Sequence, residues 1–290
     1  MLIHKPVLLQ EVLESVSSDT KIFVDCTLGH GGHTLEIIKK IGPQLKVIGI
    51  DLDQQMLNKA EEILQNFKDQ IKFVHGSYSD IDQILIQNGY QKADFILVDL
   101  GVNLQHFKDF SRGFSIKLDG DLDMRFDKNQ KLTAYDILNS YSIKQLQEIF
   151  ISYAQFTPKK SLEIAQTIIT ERKKNPIKTT FNFKNLLKLC GLGEKACAVI
   201  FQSIRIQTNQ EIQNLQILLQ KLPKILNSRG KCVILSYHSI EDKLVKENFK
   251  NLVGDGQFKL VNKKAVKTNY KEIEINRASR SAKLRIIQKK

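Results

Sequence analysis

The chain has 290 residues, 42% of them hydrophobic, which is enough for one large core carrying an insertion or for two modest cores, and which excludes a disordered protein. No apolar run reaches the ~20 residues of a membrane span, and the first ten residues lack the flanks of a signal peptide, so we expect a cytoplasmic protein. The formal net charge of +13 favours a polyanionic partner.

Strands and helices are predicted to alternate over the first hundred residues. Short apolar runs predict strands at 22–25, 46–51, 71–75 and 93–99, and amphipathic patterns predict helices at 33–41 and 54–67. Each strand is apolar on both faces. We therefore expect a parallel sheet covered by helices on two sides.

This alternation stops at about Gln105, and a polar, irregular stretch runs to Asp127. Helical patterns then follow at 134–139, 143–152, 158–175 and 181–189. Sheet-type sequence returns after a predicted helix at 209–226 and a turn at Arg229–Gly230, with strands at 231–236 and 282–287. We expect a Rossmann-like α/β core formed by residues 1–104 and 209–290, interrupted by an all-helical insertion at 105–208.

A glycine-rich turn follows the first predicted strand directly, at the edge where α/β sheets bind cofactors. Three glycines in Asp25–Thr34 allow a ligand to approach the backbone, although a structural turn also explains them. The pattern is not GxGxxG, which argues against a nicotinamide dinucleotide. Asp51 and Asp53 lie about 20 residues further on, where an acidic side chain accepts ribose hydroxyls. We favour Asp51, since Asp53 is also placed to cap a helix.

Two further residues follow the later strands of the predicted sheet. Tyr78, after the third strand, is placed either to flank an adenine or to serve as an ordinary loop aromatic. Asp99 ends the fourth strand, where it either approaches a cofactor or caps the next turn. The irregular stretch after it is dense in charge and glycine but lacks the ligand spacing of an EF-hand, and such long segments are often functional.

Basic residues are concentrated near the end of the chain. From Lys243 to Lys290 there are 14 Lys and Arg and 4 Asp and Glu, a net charge of +10. Clustered cations favour a nucleic-acid partner, because neutralised phosphates release counterions. The alternatives are a solvated surface and, for the chain as a whole, a composition set by codon usage.

The cysteines provide neither a disulfide framework nor a zinc site. Cys26, Cys190, Cys197 and Cys232 are scattered without close CxxC pairing. We therefore expect free thiols and no bound metal.

Several motifs, spread in order over nearly the whole chain, resemble those of the bacterial MraW-type family, the methyltransferases that act on the cytosine N(4) amino group at the decoding site of small-subunit (16S) ribosomal RNA. The matching stretches are His4–Leu9, 25–34, 99–102, 112–115, 119–127, 201–206 with Asn209 and Glu211, 235–242 and 279–285. The resemblance implies a Rossmann-like core dependent on S-adenosyl-L-methionine, with the helical insertion recognising the RNA substrate. It also implies small-subunit ribosomal RNA or the 30S subunit as partner.

The resemblance further implies which residues contact the cofactor. They are Gly31, Gly32, His33, Asp51, Tyr78, Asp99 and, by gap-free alignment, His106. The family has a glutamine at the position of His106, and the neighbouring Gln105 is an alternative. The products implied are a methylated cytidine and S-adenosylhomocysteine.

The reaction needs a group that accepts a hydrogen of the cytosine amino group, because the nitrogen lone pair is delocalised into the ring. The candidate catalytic residues are Asp119, Asp123 and Asp127, with His238 a weaker candidate. For each carboxylate the alternative is an ion pair with Arg112 or Arg125 that holds the segment in place. For His238 it is a structural loop histidine.

The sequence departs from the family pattern in three places. The family has two serines where this chain has Asn103–His106, a Gly-Glu-Glu run where it has Ala154–Phe156, and a His-Pro-Ala-Thr-Arg run where it has Lys195–Val199. These departures keep open a second hypothesis, a non-catalytic RNA-binding or ribosome-assembly factor with the same fold. Transfer of labelled methyl groups distinguishes the two.

Overall fold

A computed structural model describes residues 6–290, apart from the side chain of Ala278. His4 and Lys5, which begin the first family-like motif, lie outside the described residues. The chain forms two compact units. One comprises the chain up to Gly101 together with Gln213–Lys290, and we call it the sheet unit; the other, Val102–Ile212, is the helical unit.

Within the described residues, eight strands form one sheet in the sheet unit. They are β1 Ile22–Asp25, β2 Lys46–Asp51, β3 Ile71–His75, β4 Ala93–Asp99, β5 Leu226–Ser236, β6 Phe258–Leu260, β7 Val266–Lys267 and β8 Lys283–Lys289. Their order is β3-β2-β1-β4-β5-β8-β6, with β7 also pairing with β8. Strands β1 to β5 pair in parallel, whereas β8 runs antiparallel to its neighbours.

The strand order reverses between β1 and β4. From β1 the chain adds β2 and β3 on one side, and it then returns to add β4 and β5 on the other. The connections after β1 and β4 therefore leave the sheet in opposite directions. Open α/β sheets bind ligands at the carboxyl ends of the strands where the order reverses, so we expect a ligand site there.

Both faces of the sheet are buried along the central strands β1, β2 and β4, as their apolar sequences predict. Along β4, Phe95 and Leu97 pack into one core cluster and Ile96 and Val98 into another, and all four side chains are at most 1% exposed. This alternation follows from the two-residue period of a strand. Each such side chain contributes about 1.5–3 kcal/mol relative to an exposed one, so the two clusters keep the strand ends in register.

The helices are, in chain order, α1 Leu9–Ser15, α2 Gly32–Ile41, α3 Gln54–Ile63, α4 Ile81–Gln87, α5 Leu104–Lys108, α6 Ala134–Ser140, α7 Ile143–Ser152, α8 Pro158–Lys174, α9 Thr180–Leu189, α10 Glu194–Asn209, α11 Glu211–Ile225, α12 Ser239–Gly254 and α13 Tyr270–Ile275. Helices α5 to α10 belong to the helical unit, where α6 to α10 surround a third apolar core. None of the helices in the described residues has the length and apolarity needed to cross a membrane.

Capping side chains determine where the helices of the helical unit begin. At α6, the Thr133 hydroxyl accepts from the Asp136 N–H, and the Asp136 carboxylate accepts from the Thr133 N–H in return. Similar reciprocal pairs start α7 and α9, and Thr157 caps α8 with Pro158 in its first turn. Each cap satisfies backbone donors that a helix terminus leaves unpaired, worth about 1 kcal/mol.

The structure confirms the predicted strands β1 to β4 with their exact bounds, and it confirms helix α7 in the same way. All four cysteines are free, as predicted, and the structure also shows that all four are buried.

Other element predictions are wrong in detail. The helix predicted at 54–67 ends at Ile63, followed by a single 3-10 turn. The stretch predicted to be irregular from Gln105 contains α5. The helix predicted from Asn209 begins at Glu211 instead, because Gln210 adopts a left-handed conformation with φ 52° and ends α10.

The predicted turn at Arg229–Gly230 lies inside β5. The pairing register of β5 with β4 shifts between Leu226, opposite Ala93, and Lys231, opposite Phe95. Arg229 has φ 64°, and a Cβ on Gly230 would lie 2.8 Å from the Asn227 carbonyl oxygen. The turn-type residues therefore form a bulge that the strand absorbs.

Candidate active site

The loop between β1 and α2 is tied to the end of β2. The Gly29 N–H donates to Asp51 Oδ2 at 2.7 Å, and the Leu28 N–H donates to the Ile50 carbonyl at 2.9 Å. Gly31 has φ +75°, and a Cβ there would lie 2.5 Å from Leu64 Cδ1. Only glycine fits this position without strain, so the loop packs closely against Leu64, which follows α3.

Three neighbouring parallel strands each end in an aspartate: Asp25 on β1, Asp51 on β2 and Asp99 on β4. Asp25 is buried and accepts hydrogen bonds from Thr34 Oγ1 at 2.7 Å and from the Thr27 N–H at 3.2 Å. Burial raises the pKa of Asp25 to about 6, against the opposing effect of the Thr34 hydrogen bond. The carboxyl ends of these strands are thus polar, although the two faces of the sheet are apolar.

His33 lies in the first turn of α2 and is only 7% exposed. Its Nε2 atom is 3.7 Å from Asp99 Oδ2, beyond hydrogen-bond distance. Among the described residues, neither ring nitrogen of His33 nor Asp99 Oδ1 has a hydrogen-bond partner. Buried polar atoms rarely lack partners in folded proteins, so the predicted cofactor contacts of His33 and Asp99 are consistent with these three atoms.

Tyr237, directly after β5, completes this edge of the sheet. A Cβ on Gly101 would lie 2.8 Å from the Tyr237 ring, so the glycine allows the ring to pack against the chain after β4. Burial, with the nearby Asp99 carboxylate, raises the pKa of Tyr237 well above its ordinary value. The residue is therefore a neutral phenol at physiological pH.

The structure brings the predicted residues Gly31, Gly32, His33, Asp51 and Asp99 to one edge of the sheet unit. Sequence reasoning did not assign Asp25, Thr34 or Tyr237 to this site. A signal for Asp25 was available, because it ends its strand as Asp51 and Asp99 end theirs. Tyr237 left no such signal, since its place beside Gly101 depends on the pairing of β4 with β5.

Asp53 and Tyr78 have structural roles in the sheet unit. Asp53 caps α3 by accepting from the Gln55 N–H at 2.8 Å, which is the alternative considered for it. Asp51 Oδ1 accepts from the Asp53 N–H at 2.9 Å. Tyr78 is 8% exposed and packs in the apolar cluster on one face of the sheet. The contacts of Asp51 and Tyr78 with a cofactor stay predictions.

The three candidate catalytic carboxylates lie in the helical unit, and each makes local hydrogen bonds. Asp119 accepts from the Phe181 N–H at 3.0 Å, and hydrogen bonds from Thr179 and from this N–H lower its pKa. Asp123 forms a two-point ion pair with Arg125, with N to O distances of 2.7 and 3.0 Å. Asp127 accepts from the N–H of the residue two positions later, at 2.8 Å. Asp123 therefore forms the ion pair that was considered as the alternative to a catalytic role, one that holds the irregular segment in place.

Arg112 and His106 are also buried in the helical unit. Arg112 is 1% exposed and donates to the carbonyls of Arg125 and Phe126 at 2.8 and 3.1 Å. The His106 ring packs against Phe114, with ring centroids 5.1 Å apart, and against Phe126 at 5.4 Å. A cofactor contact by His106 stays a prediction.

His238, in the sheet unit, is the residue that caps the start of α12. Its Nδ1 accepts from the Glu241 N–H at 3.4 Å, and its Nε2 lies 3.0 Å from Glu241 Oε1. Glu241 is 2% exposed and also accepts from the Tyr237 N–H at 2.9 Å. These contacts agree with the structural alternative for His238, in which the histidine hydrogen-bonds to nearby residues of its own loop.

The sheet order, its switch point and the carboxylates that end β1, β2 and β4 define the class, a Rossmann-like α/β core joined to a helical unit. Residues 1–290 match the model of the MraW methylase family. The chain therefore belongs to the MraW methylase family.

Curated relatives agree with this assignment over their full length. The ribosomal RNA small subunit methyltransferase H of Coprothermobacter proteolyticus is 37% identical over 290 residues, covering 99% of this chain and 96% of that protein. The protein of the same name from Mesomycoplasma hyopneumoniae strain 7448 is 38% identical over 299 residues, covering 99% of each chain. That of Pseudothermotoga lettingae is 35% identical over 299 residues, covering 100% of this chain and 99% of the relative.

Proposed function

We propose that the protein transfers the methyl group of S-adenosyl-L-methionine to the exocyclic N(4) amino group of a cytidine in small-subunit (16S) ribosomal RNA, near the decoding site. Membership of a methylase family supports the reaction, and the names of the relatives support the substrate. The observation that carries the proposal is the hydrogen bond from the glycine-rich loop to Asp51, at the carboxyl edge of the sheet beside the switch point. We place this reaction in the cytoplasm, on the 30S subunit or its RNA.

The residues at the sheet edge fit this cofactor. The Asp51 carboxylate would hold the ribose hydroxyls, and the backbone at Gly31 and Gly32 would lie against the ligand. His33 and Asp99, whose buried polar atoms lack partners among the described residues, would bind the polar end of the methionine portion. We also assign Tyr78 to the adenine and His106 to the cofactor. When bound, the cofactor supplies a methyl group on a positively charged sulfur.

Orientation of the target base should account for much of the catalysis. The cytosine amino nitrogen is a weak nucleophile, so the protein must hold it in line with the methyl group. A carboxylate that accepts an amino hydrogen increases the electron density on this nitrogen. Asp119, Asp123 and Asp127 are the proposed acceptors. Because Arg125 binds both oxygens of Asp123, we assign Asp123 first to holding the segment in place.

We further propose that the helical unit recognises the RNA. The target base has to leave its stack before any enzyme can modify it, and the surrounding nucleotides must be held meanwhile.

Methyl transfer to ribosomal RNA tests the proposed function. Small subunits from a strain lacking the enzyme are incubated with the protein and labelled S-adenosyl-L-methionine, and the modified nucleotide is identified by mass spectrometry. We expect label on the N(4) nitrogen of one cytidine. Tight RNA binding without incorporation would instead support the non-catalytic assembly factor.

Two matched variants test the cofactor site by calorimetry. Asp51→Asn should weaken binding of S-adenosyl-L-methionine about tenfold or more, since a charged acceptor is worth roughly 1.5–3 kcal/mol. Asp94→Asn is the control, because Asp94 also accepts backbone N–H groups, from Lys21 at 3.0 Å and Ile22 at 2.9 Å, but at the amino end of β4. Equal affinities for the two variants would contradict the assignment.

A further inference from the structure

A cavity of about 240 Å³ lies in the sheet unit, beside the proposed cofactor site. Tyr237 lines it, and the same residue packs against Gly101, two residues after the end of β4. The remaining lining comes from the start of α12, from β7 and from the chain entering β8. None of the residues proposed to contact the cofactor lies in these three elements.

The lining of this cavity is positively charged. Lys267 and Arg280 are exposed, and within the described part of the chain neither forms an ion pair with a carboxylate. Lys283 Nζ lies 2.7 Å from Asp242 Oδ2, and Arg285 Nε lies 2.7 Å from the other oxygen of the same carboxylate. The Asp242 carboxylate thus pairs with two cationic side chains. The cavity keeps an excess of positive charge even though Asp242 lies beside it.

Hydroxyl groups and a helix terminus add to the attraction for an anion. Ser239 and Ser281 line the cavity, and Ser239 is the first residue of the 16-residue helix α12. The amino end of such a helix carries a partial positive charge. Glu241, in the first turn, lies 3.0 Å from His238 Nε2 and accepts from the Tyr237 N–H, so its carboxylate is already engaged by neighbouring groups.

We propose that this cavity is a phosphate subsite that binds a backbone phosphodiester of the RNA substrate through Lys267, Arg280 and Lys283. The proposal rests on the proposed function, since it places a phosphate of the substrate beside the methyl-transfer site. A planar guanidinium and two ammonium groups match the donor needs of a phosphodiester.

The surroundings favour RNA over free phosphate as the source of the anion. Tyr270 is 74% exposed and lies three residues after Lys267, and Lys243, Lys246 and Lys250 are exposed along α12. Exposed aromatic rings among cations are typical of surfaces that bind single-stranded nucleic acid, because bases stack on the rings. A site for inorganic phosphate alone needs no such surface.

The test uses a double variant, Lys267→Ala with Arg280→Ala, in the full-length protein. The control double variant is Lys68→Ala with Lys72→Ala, which removes two exposed lysines elsewhere on the sheet unit. Binding of unmodified small-subunit RNA is measured over a range of salt concentrations, and the kcat, the KM for RNA and the affinity for S-adenosyl-L-methionine are measured in parallel.

We expect the cavity variant to raise the KM and the Kd for RNA about tenfold, with the kcat and the cofactor affinity within about twofold of wild type. The slope of log Kd against log salt should fall by about 1, the value for one lost phosphate contact. The control should keep the wild-type slope. Lys267→Arg with Arg280→Lys retains both charges and should restore most of the affinity.

RNA affinity and salt slope equal to those of the control would overturn the subsite while leaving the proposed function intact. Absence of methyl transfer by the wild-type protein would overturn the proposed function, and the RNA-binding measurement would still decide the subsite. If millimolar inorganic phosphate protects Arg280 from chemical modification and RNA does not, the cavity binds free phosphate and the proposal fails.

Discussion

The aspartates that end β1, β2 and β4 have different surroundings, and these surroundings give them different chemistry. Asp25 is buried beside Thr34, and burial raises its pKa to about 6. Asp51 accepts backbone N–H groups from the glycine-rich loop and from the start of α3. Asp99 faces His33 across 3.7 Å. One residue type therefore provides a proton-binding group, an acceptor bound to the loop and a carboxylate that faces a buried histidine.

Protonation of Asp25 should make the stability of the protein depend on pH. The folded-state pKa of about 6 lies above the ordinary value of 3.8, so the folded protein binds the proton more tightly than the unfolded chain does. Stability should therefore fall as pH rises through this window. Between pH 5 and pH 7.5 we expect the wild type to lose about 1 kcal/mol of unfolding free energy that Asp25→Asn does not lose.

Denaturant unfolding at the two pH values measures this difference. Asp94→Asn is the control and should keep the wild-type dependence, because Asp94 lies at the other end of the sheet. A dependence of the same size in Asp25→Asn and in wild type would show that other groups cause it.

Among the elements, the segment between α5 and α6 is irregular yet held at many points. Asn209, at the end of α10, donates to the Met124 carbonyl at 2.7 Å and accepts from the Phe126 N–H at 2.8 Å. Arg112 donates to two carbonyls of the same segment, and Arg125 pairs with Asp123. These hydrogen bonds replace the regular backbone hydrogen bonds of a helix or strand. The segment that bears the proposed catalytic carboxylates is therefore ordered.

A glycine pair tests how closely this segment is packed. Gly113 has φ +69°, and a Cβ there would lie 2.1 Å from the Asp121 carbonyl oxygen. Gly191, in the same unit, has φ +71° but open space around its Cβ position. Gly191→Ala should cost about 1 kcal/mol for the left-handed backbone alone, and Gly113→Ala should cost at least about 2 kcal/mol more because the carbonyl must move.

Thermal unfolding compares the two variants. Gly113→Ala should show the larger fall in Tm and also lower methyl transfer. Equal changes in Tm would show that the contact with Asp121 relaxes at no cost.

At the scale of the whole molecule, charge should govern the encounter with RNA. The net charge is +13, and the segment from Lys243 onwards alone accounts for +10. With about four phosphate contacts, RNA affinity should fall roughly a hundredfold between 50 and 200 mM salt, because each neutralised phosphate releases counterions. Filter binding or fluorescence anisotropy over this range measures the slope. A flat dependence would indicate that the basic composition reflects codon usage.

The sequence by itself determined the features that depend on neighbouring residues. Strands β1, β2 and β4 have the predicted bounds because short runs apolar on both faces are buried in a covered sheet. Strand β3 also has its predicted bounds, although it lies at the edge of the sheet, where Lys72 and His75 are exposed. The glycine-rich loop and Asp51 were predicted together because parallel strands end at one edge. The ordered motifs also indicated the family, and the match over residues 1–290 confirms it.

Only the tertiary structure decided the contacts between residues distant in the sequence. The partnership of Asn209 with Met124 spans 85 residues, and Tyr237 reaches Gly101 only because β5 pairs with β4. The Arg229 bulge and the shared carboxylate of Asp242 likewise depend on how strands pair. The local sequence does not predict which distant residues pair, because the pairing depends on packing and on the cost of removing polar groups from water.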